Sequence, residues 1–282
     1  MTDDILMSLA DKANKVIPVE DGDYYNPDDN GLLYCGKCHT RKQCMLNFPS
    51  GPRKIMCMCK CEQEKQERKN AERKALEFAD NIKRNQSNCY AKEIRDRMLE
   101  KNFANADNSK LIQIAKNYVN NFPKFLKEGK GLLICGGTGS GKSYMSTCIC
   151  NALLEKGYPC YFTSFGRLRN KIAGMYEGKQ EFIDSLNKYS LLVLDDLGAE
   201  SNTDYMFEII HNIIDCRVNA GLPTIVTTNL TKQELFSREE MKKQRIYSRL
   251  YEMCILVDGA GEDRRKKEMI DSQKKFKEIL GI

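Results

Sequence analysis

The chain has 282 residues, 41% hydrophobic and 30% charged, with a net charge of +6 and thirteen cysteines. That balance supports a sizeable buried core and excludes a disordered chain, and no apolar run is long enough to span a bilayer, so a soluble protein is expected. The charge is uneven: residues 1–30 hold eight acids against two lysines, a balance of −6, which leaves +12 on the remainder and suits an anionic partner.

The opening MTDDILMSLA is acidic and lacks the basic flank of an export signal, so a cytoplasmic location is expected. Its short apolar patch, Ile5, Leu6, Met7 and Leu9, reads equally as a docking turn or as a frayed end. Without export, the cysteines are better read as thiols or metal ligands than as a disulfide framework. Six of them crowd between Cys35 and Cys61. Cys35 and Cys38 form C-x2-C, and the returning half, Cys57, Cys59 and Cys61, is spaced C-x-C-x-C. Zinc takes four soft ligands in a tetrahedron, and the separation of the halves is near that of zinc ribbons. The expected set is Cys35, Cys38, Cys59 and Cys61, with Cys57 as the competing ligand and Cys44 and His39 spare. A segment this small needs such a staple to hold a fold.

From Glu62 to about Lys101 the chain is rich in helix formers, mixed in charge and without Pro or Gly, which predicts a long exposed connecting helix. Phe103 to Asn121 predicts a second helix with Leu111, Ile114, Ala115, Tyr118 and Val119 on one face. Beyond Gly131, strands at 132–135, 160–163, 191–195, 223–228 and 253–257 alternate with helices at 143–156, 165–188, 203–220 and 231–252. Such alternation predicts an α/β parallel sheet flanked by helices, with ligand at the carboxyl ends of its strands. The expected division is a tail and cysteine module over 1–61, a helical linker over 62–122 and a nucleotide domain over 123–282.

The first strand of that sheet runs into GGTGSGKS: Gly136, Gly137, Thr138, Gly139, Ser140, Gly141, Lys142 and Ser143, with Tyr144 opening the helix beyond. The pattern is G-x-x-x-x-G-K-[ST] in the strand, loop and helix setting it requires. Glycines let the backbone curl around a polyphosphate, Lys142 bridges the outer phosphates, and the Ser143 hydroxyl ligates magnesium. LLVLDD delivers Asp195 as the magnesium-side acid and Asp196 to polarise an attacking water. PTIVTTN ends in Asn229, whose amide orients that water or touches the γ-phosphate. Arg245 and Arg249 in QRIYSRL lie four apart on one helical face, placed to neutralise charge at a neighbouring subunit's nucleotide. Arg264 and Arg265 are candidates for phosphate contact within the subunit.

Taken together, the cysteine pairs with CKCE, the charged connector, GGTGSGKS, LLVLDDLG, TTNL, RIYSRL and GEDRR resemble the DnaC/DnaI type of replicative helicase loader, relatives of the IstB transposition ATPase in the AAA+ group. The resemblance covers residues 35–61 and 131–265. It implies a P-loop AAA+ ATPase that uses ATP, Mg2+ and Zn2+. Its zinc module would contact a hexameric DnaB-type helicase, and its ATPase domain would bind single-stranded DNA and oligomerise on the partner. By position Lys142 and Ser143 match Walker A, Asp195 and Asp196 Walker B, Asn229 the first sensor, Arg245 or Arg249 the arginine finger, and Arg265 the second sensor. Two features depart from the group: it usually carries glutamate where Asp196 stands, which implies slow or partner-dependent hydrolysis, and the residues after Asn229 are too few for a full helical lid. Phe165, Arg167, Arg169 and Lys171 are candidates for stacking on and pairing with the DNA strand. Competing functions are a transposition helper with the same core, a small-molecule phosphotransferase, and a zinc adaptor holding ATP as a structural ligand.

Overall fold

The computed structural model describes residues 12, 17–198, 204–235, 241–259 and 264–280. The apolar patch at Ile5 to Leu9 lies outside them. The chain divides into two compact units, residues 1–78 and 79–282.

In the first unit, β1 (Tyr24–Asn26) pairs antiparallel with β2 (Leu32–Tyr34), and β3 (Gln43–Phe48) pairs antiparallel with β4 (Gly51–Met56). The acids from Glu20 to Asp29 are thereby part of a folded module. Between β1 and β2 the Asn26 side chain accepts from the Asp28 amide at 3.0 Å and caps a short 3-10 turn. Arg41 grips the Asp29 carboxylate with two bonds, 2.6 and 2.8 Å, and Lys42 and Asp23 form a buried ion pair at 2.6 Å. Its apolar core is small: Leu32, Leu33, Ile55 and Met56, with Cys35 and Cys59. The β3–β4 hairpin was not anticipated, although FPSGP between two extended runs carries turn residues.

Helix α1 (Lys60–Cys89) is 30 residues of mostly exposed surface, with i,i+3 and i,i+4 pairs at Glu62–Lys65 and Arg73–Glu77. The predicted helix ran on to Lys101. Instead the chain breaks after Cys89, because Tyr90 turns inward and donates its hydroxyl to Asn151 Oδ1 at 2.7 Å. The Asn151 amide in turn binds the carbonyls of Met98 and Lys101, which fixes the short helix α2 (Arg95–Leu99). The next helix, α3 (Lys110–Asn120), starts later than Phe103 because Asn102 and Asp107 hold the preceding backbone in side-chain turns. It is followed by α4 (Phe122–Lys127).

The second unit is built on five parallel strands: β5 (Gly131–Cys135), β6 (Cys160–Ser164), β7 (Leu191–Leu197), β8 (Thr224–Thr228) and β9 (Cys254–Asp258), in spatial order β6-β7-β8-β5-β9. The inner strands β5, β7 and β8 are buried on both faces, which is why GLLIC and LLVL read as unbroken apolar runs. Leu132, Ile134, Val193 and Ile225 point to one side, against α3 and α5 (Lys142–Glu155). Cys89, Tyr90, Tyr118 and Phe122, from the stretch expected as a linker, join that core. Leu133, Leu192, Leu194 and Val226 point to the other side, against α6 (Phe165–Ala173), α7 (Lys179–Ser185), α8 (Asp204–Asn219) and α10 (Met241–Met253), with the single turn α9 (Lys232–Leu235) contributing Leu235. A last helix, α11 (Arg264–Leu280), follows β9. At the opposite end of the sheet from the strands' carboxyl termini, the fully buried Arg217 donates to the carbonyls of Leu186, Tyr189 and Pro223 and to the Thr224 hydroxyl.

Candidate nucleotide-binding site and metal centre

The strand order creates the first site. The GGTGSGKS loop leaves the end of β5, Asp195 and Asp196 lie on β7, and β8, with Asn229 just beyond its end, runs between them. Gly136, Gly139 and Gly141 all hold positive φ, 144°, 79° and 93°, a curl that side chains beyond glycine resist. Gly141 is the N-cap of α5 and offers no side-chain cap, so the helix's first amides are left for an anion. The buried Ser140 hydroxyl of the same loop has no hydrogen-bond partner among the described residues. These are the features a polyphosphate would satisfy.

Lys142 is only 4% exposed. Its Nζ donates to the carbonyls of Gly136 (2.7 Å) and Gly137 (2.8 Å) and to Asn229 Oδ1 (2.9 Å). The amide of Asn229 donates onward to Asp196 Oδ1 at 3.2 Å. Ser143 Oγ donates to Asp195 Oδ1 at 2.9 Å, joining the two groups expected to share magnesium. Burial is the largest influence on Asp195 and raises its pKa; hydrogen bonds from Thr227 and Ser143 and the charge of Lys142 pull the other way, while Asp196 adds to the rise. A buried carboxylate of this kind, with a hydroxyl and an ammonium close by, fits a divalent cation as its missing counter-charge.

Two residues of this site escaped sequence reasoning. Thr227 contacts both acids, and the only signal was its place in TTN. Gly259 packs so closely that a Cβ there would lie 2.9 Å from the Cys135 carbonyl and 3.2 Å from the Lys142 side chain. Nothing in the sequence joins it to a lysine so far upstream.

The remaining predicted residues are spread out. Thr138 is exposed on the loop, and the Tyr144 hydroxyl reaches the Asn102 carbonyl at 3.4 Å. Arg249 is held within the subunit by Asp215 at 3.0 Å and Glu252 at 2.9 Å. Arg245 is exposed, with no ion pair among the described residues. Arg265 is the second residue of α11, and its side chain, like that of Arg264, lies outside what is described. Phe165 corrects an expectation: it is fully buried against Leu168 and Leu194, so it offers no ring for stacking. Lys171 sits over the Phe182 ring at 4.3 Å, and Arg167 faces Glu93 at 3.7 Å.

The second site is in the first unit. The sulfurs of Cys35, Cys38, Cys59 and Cys61 all lie within 4.8 Å of one another, with Cys59 and Cys61 3.3 Å apart and Cys35 and Cys61 3.6 Å apart. Cys57 is elsewhere, its thiol aimed at the Arg41 carbonyl, and burial pushes it up to about 11. The Thr40 hydroxyl and the Cys61 amide draw Cys38 down to about 5, whereas the three neighbouring sulfurs push Cys61 up to about 12. Four thiolates this close repel one another unless a cation sits between them, and four sulfurs in this arrangement fit zinc.

The fold and the loop define a P-loop ATP-binding protein of the AAA+ type. Residues 76–272 match the family described as IstB-like ATP binding protein, and the chain belongs to that family. It is 30% identical over 204 residues to the replicative helicase loader DnaI of Bacillus subtilis, a stretch covering 66% of this chain and 65% of DnaI. It is 25% identical over 131 residues to the replicative helicase loader DnaC of Escherichia coli K12, covering 45% of this chain and 51% of DnaC. A crystal structure of DnaI superposes with a TM-score of 0.52 at 25% identity, over 64% of this chain and 99% of that one. The chain thus matches just under two thirds of DnaI and about half of DnaC. Among the described residues no helix is long and apolar enough to cross a membrane.

Proposed function

We propose that this protein is a cytoplasmic, ATP-controlled loader of a hexameric DnaB-type replicative helicase, acting on single-stranded DNA. The observation that carries the reading is the 30% identity to a replicative helicase loader over 204 residues, on a chain whose phosphate loop, acids and Asn229 converge. The thiol module, up to residue 61, contacts the helicase, and the exposed helix α1 leads from it into the ATPase unit, which takes in the short helices before β5. ATP retains the protein on helicase and DNA, and hydrolysis releases it.

In that mechanism the loop amides from Gly136 to Ser143 and the first turn of α5, with Thr138 and Tyr144 at its rim, bind the phosphates. Lys142 exchanges the carbonyls it now holds for phosphate oxygens, and Arg265 adds a contact from the same subunit. Ser143 and Asp195 would hold Mg2+, which would supply positive charge against that of the phosphates. Asp196 polarises the attacking water, and Asn229, bonded to both Asp196 and Lys142, orients it. The short reach of Asp196 makes hydrolysis slow without a partner. Arg245 is the better placed of the two arginines to serve a neighbouring subunit in an assembled oligomer, since Arg249 is committed to Asp215 and Glu252.

The family match sustains a second reading, a transposition helper with the same ATPase core. Co-purification with a DnaB-type helicase, with and without ATP, separates the two. The full chain is expected to bind the helicase, and a chain starting near residue 79, which keeps the whole second unit, is not. Lys142→Ala is expected to lose nucleotide binding and ATP-dependent retention while staying folded. DNA-stimulated turnover without helicase binding would shift the assignment to the transposition helper, and unchanged ATP affinity in Lys142→Ala would defeat the site.

A further inference from the structure

We propose that Thr227 is a positioning residue that sets both acids of β7 from the neighbouring strand. The proposal rests on the reading of Asp195 and Asp196 as the metal and water acids.

On a regular strand, consecutive side chains point to opposite faces, so bringing two adjacent acids to one loop calls on the local backbone at the strand's end. Here the β7–β8 register shifts between Leu194 and Leu197, and Asp196 holds φ +62°, a left-handed conformation uncommon away from glycine. Such an irregularity frees backbone groups from the ladder, and in a buried strand they must find other partners. Thr227, fully buried in β8, supplies them. Its hydroxyl accepts from the Asp196 amide at 3.0 Å and donates to Asp195 Oδ1 at 2.6 Å. One oxygen therefore fixes the backbone of one acid and the carboxylate of the other. Beside it, Thr228 Oγ1 donates to the Leu197 carbonyl at 2.7 Å and closes the far side of the irregularity. Valine matches threonine in shape and lacks only the polar group, so the hydroxyl is what this position adds. Losing it leaves the Asp196 amide without its acceptor and takes one of two hydroxyls from Asp195 Oδ1.

The test compares Thr227→Val and Thr227→Ser with the parent by titrating a fluorescent ADP analogue in Mg2+ and in EDTA, alongside thermal unfolding. Metal-free affinity, set by the loop and Lys142, is expected to stay within about twofold in Thr227→Val, whereas the gain from Mg2+ falls by about 10–100-fold, the usual loss for an outer-shell partner of a metal ligand. Turnover at saturating nucleotide falls with it. Thr227→Ser keeps the hydroxyl, gives up a methyl, and is expected to retain the Mg2+ response. That comparison stands even if the valine variant does not fold. A Thr227→Val protein with the parent's Mg2+ response, or a Thr227→Ser protein that loses it, overturns the proposal. Failure of the underlying ATP-site reading shows separately, as a parent protein that binds nucleotide in neither condition, and the role of Thr227 then falls with it.

Discussion

Replacing Cys59 with serine removes one of four sulfurs grouped within 4.8 Å, while replacing Cys57 removes a thiol that faces the Arg41 carbonyl instead. Zinc–sulfur bonds of about 2.3 Å arranged as a tetrahedron give sulfur–sulfur edges of about 3.8 Å, close to the 3.6 and 3.3 Å seen here. Structural zinc contributes on the order of 10–16 kcal/mol in small modules, so one ligand in four carries roughly 2.5–4 kcal/mol, or about 100- to 1000-fold in metal affinity. The first unit has little else to hold it, since its apolar core is a handful of side chains. Cys59→Ser is therefore expected to lose zinc to a chromogenic chelator that the parent resists, and to lose the folded module with it. Cys57→Ser is expected to keep about one zinc per chain and the parent's unfolding curve. Elemental analysis and chelator competition on the full chain decide it. Equal metal loss in both variants, or a metal-free parent whose module still unfolds cooperatively, refutes the assignment.

Gly259→Ala places a methyl group 2.9 Å from the Cys135 carbonyl and 3.2 Å from the Lys142 side chain. Overpacking of this kind costs about 1–3 kcal/mol, so nucleotide affinity is expected to fall about tenfold or more in a folded protein, and an unchanged Kd by calorimetry would contradict the packing argument. Asp195→Asn is expected to stabilise the nucleotide-free protein at pH 7. The folded state raises the Asp195 pKa above its unfolded value, so its favourable contribution is present below about pH 4 and is lost as pH rises through the raised value. Removing the charge should lift the neutral-pH Tm by roughly 2–4 °C for about 1 kcal/mol, with the gap closing in acid. A gap independent of pH, or a less stable variant, would contradict the electrostatic reading.

The phosphate loop was legible because its chemistry resides in backbone geometry, which fixes glycine positions and spacing. The parallel sheet was legible because burial on both faces writes inner strands as apolar runs, as in LLIC and LLVL. What escaped depended on partners distant in sequence. Spacing alone left Cys57 and Cys59 in competition, and the backbone sets them apart: the Cys57 amide continues the hairpin ladder to the Lys42 carbonyl. The helical period ran through Tyr90 without showing that its hydroxyl seeks Asn151. Phe165 looked available beside three basic residues because a helix's first residue carries no mark of which face it joins. Thr227 and Gly259 act through atoms on other strands and left no local pattern at all.

The left-handed backbone at Asp196 ties the identity of the acid to the shape of the strand. Aspartate and asparagine tolerate that conformation better than most residues, because a short polar side chain can bond locally, whereas a longer acid meets the steric penalty without that relief. The glutamate usual in the AAA+ group therefore cannot simply be exchanged in. It would carry a backbone cost at the irregularity in β7 that aspartate largely avoids. The shape of the strand and the choice of acid are therefore coupled at this position.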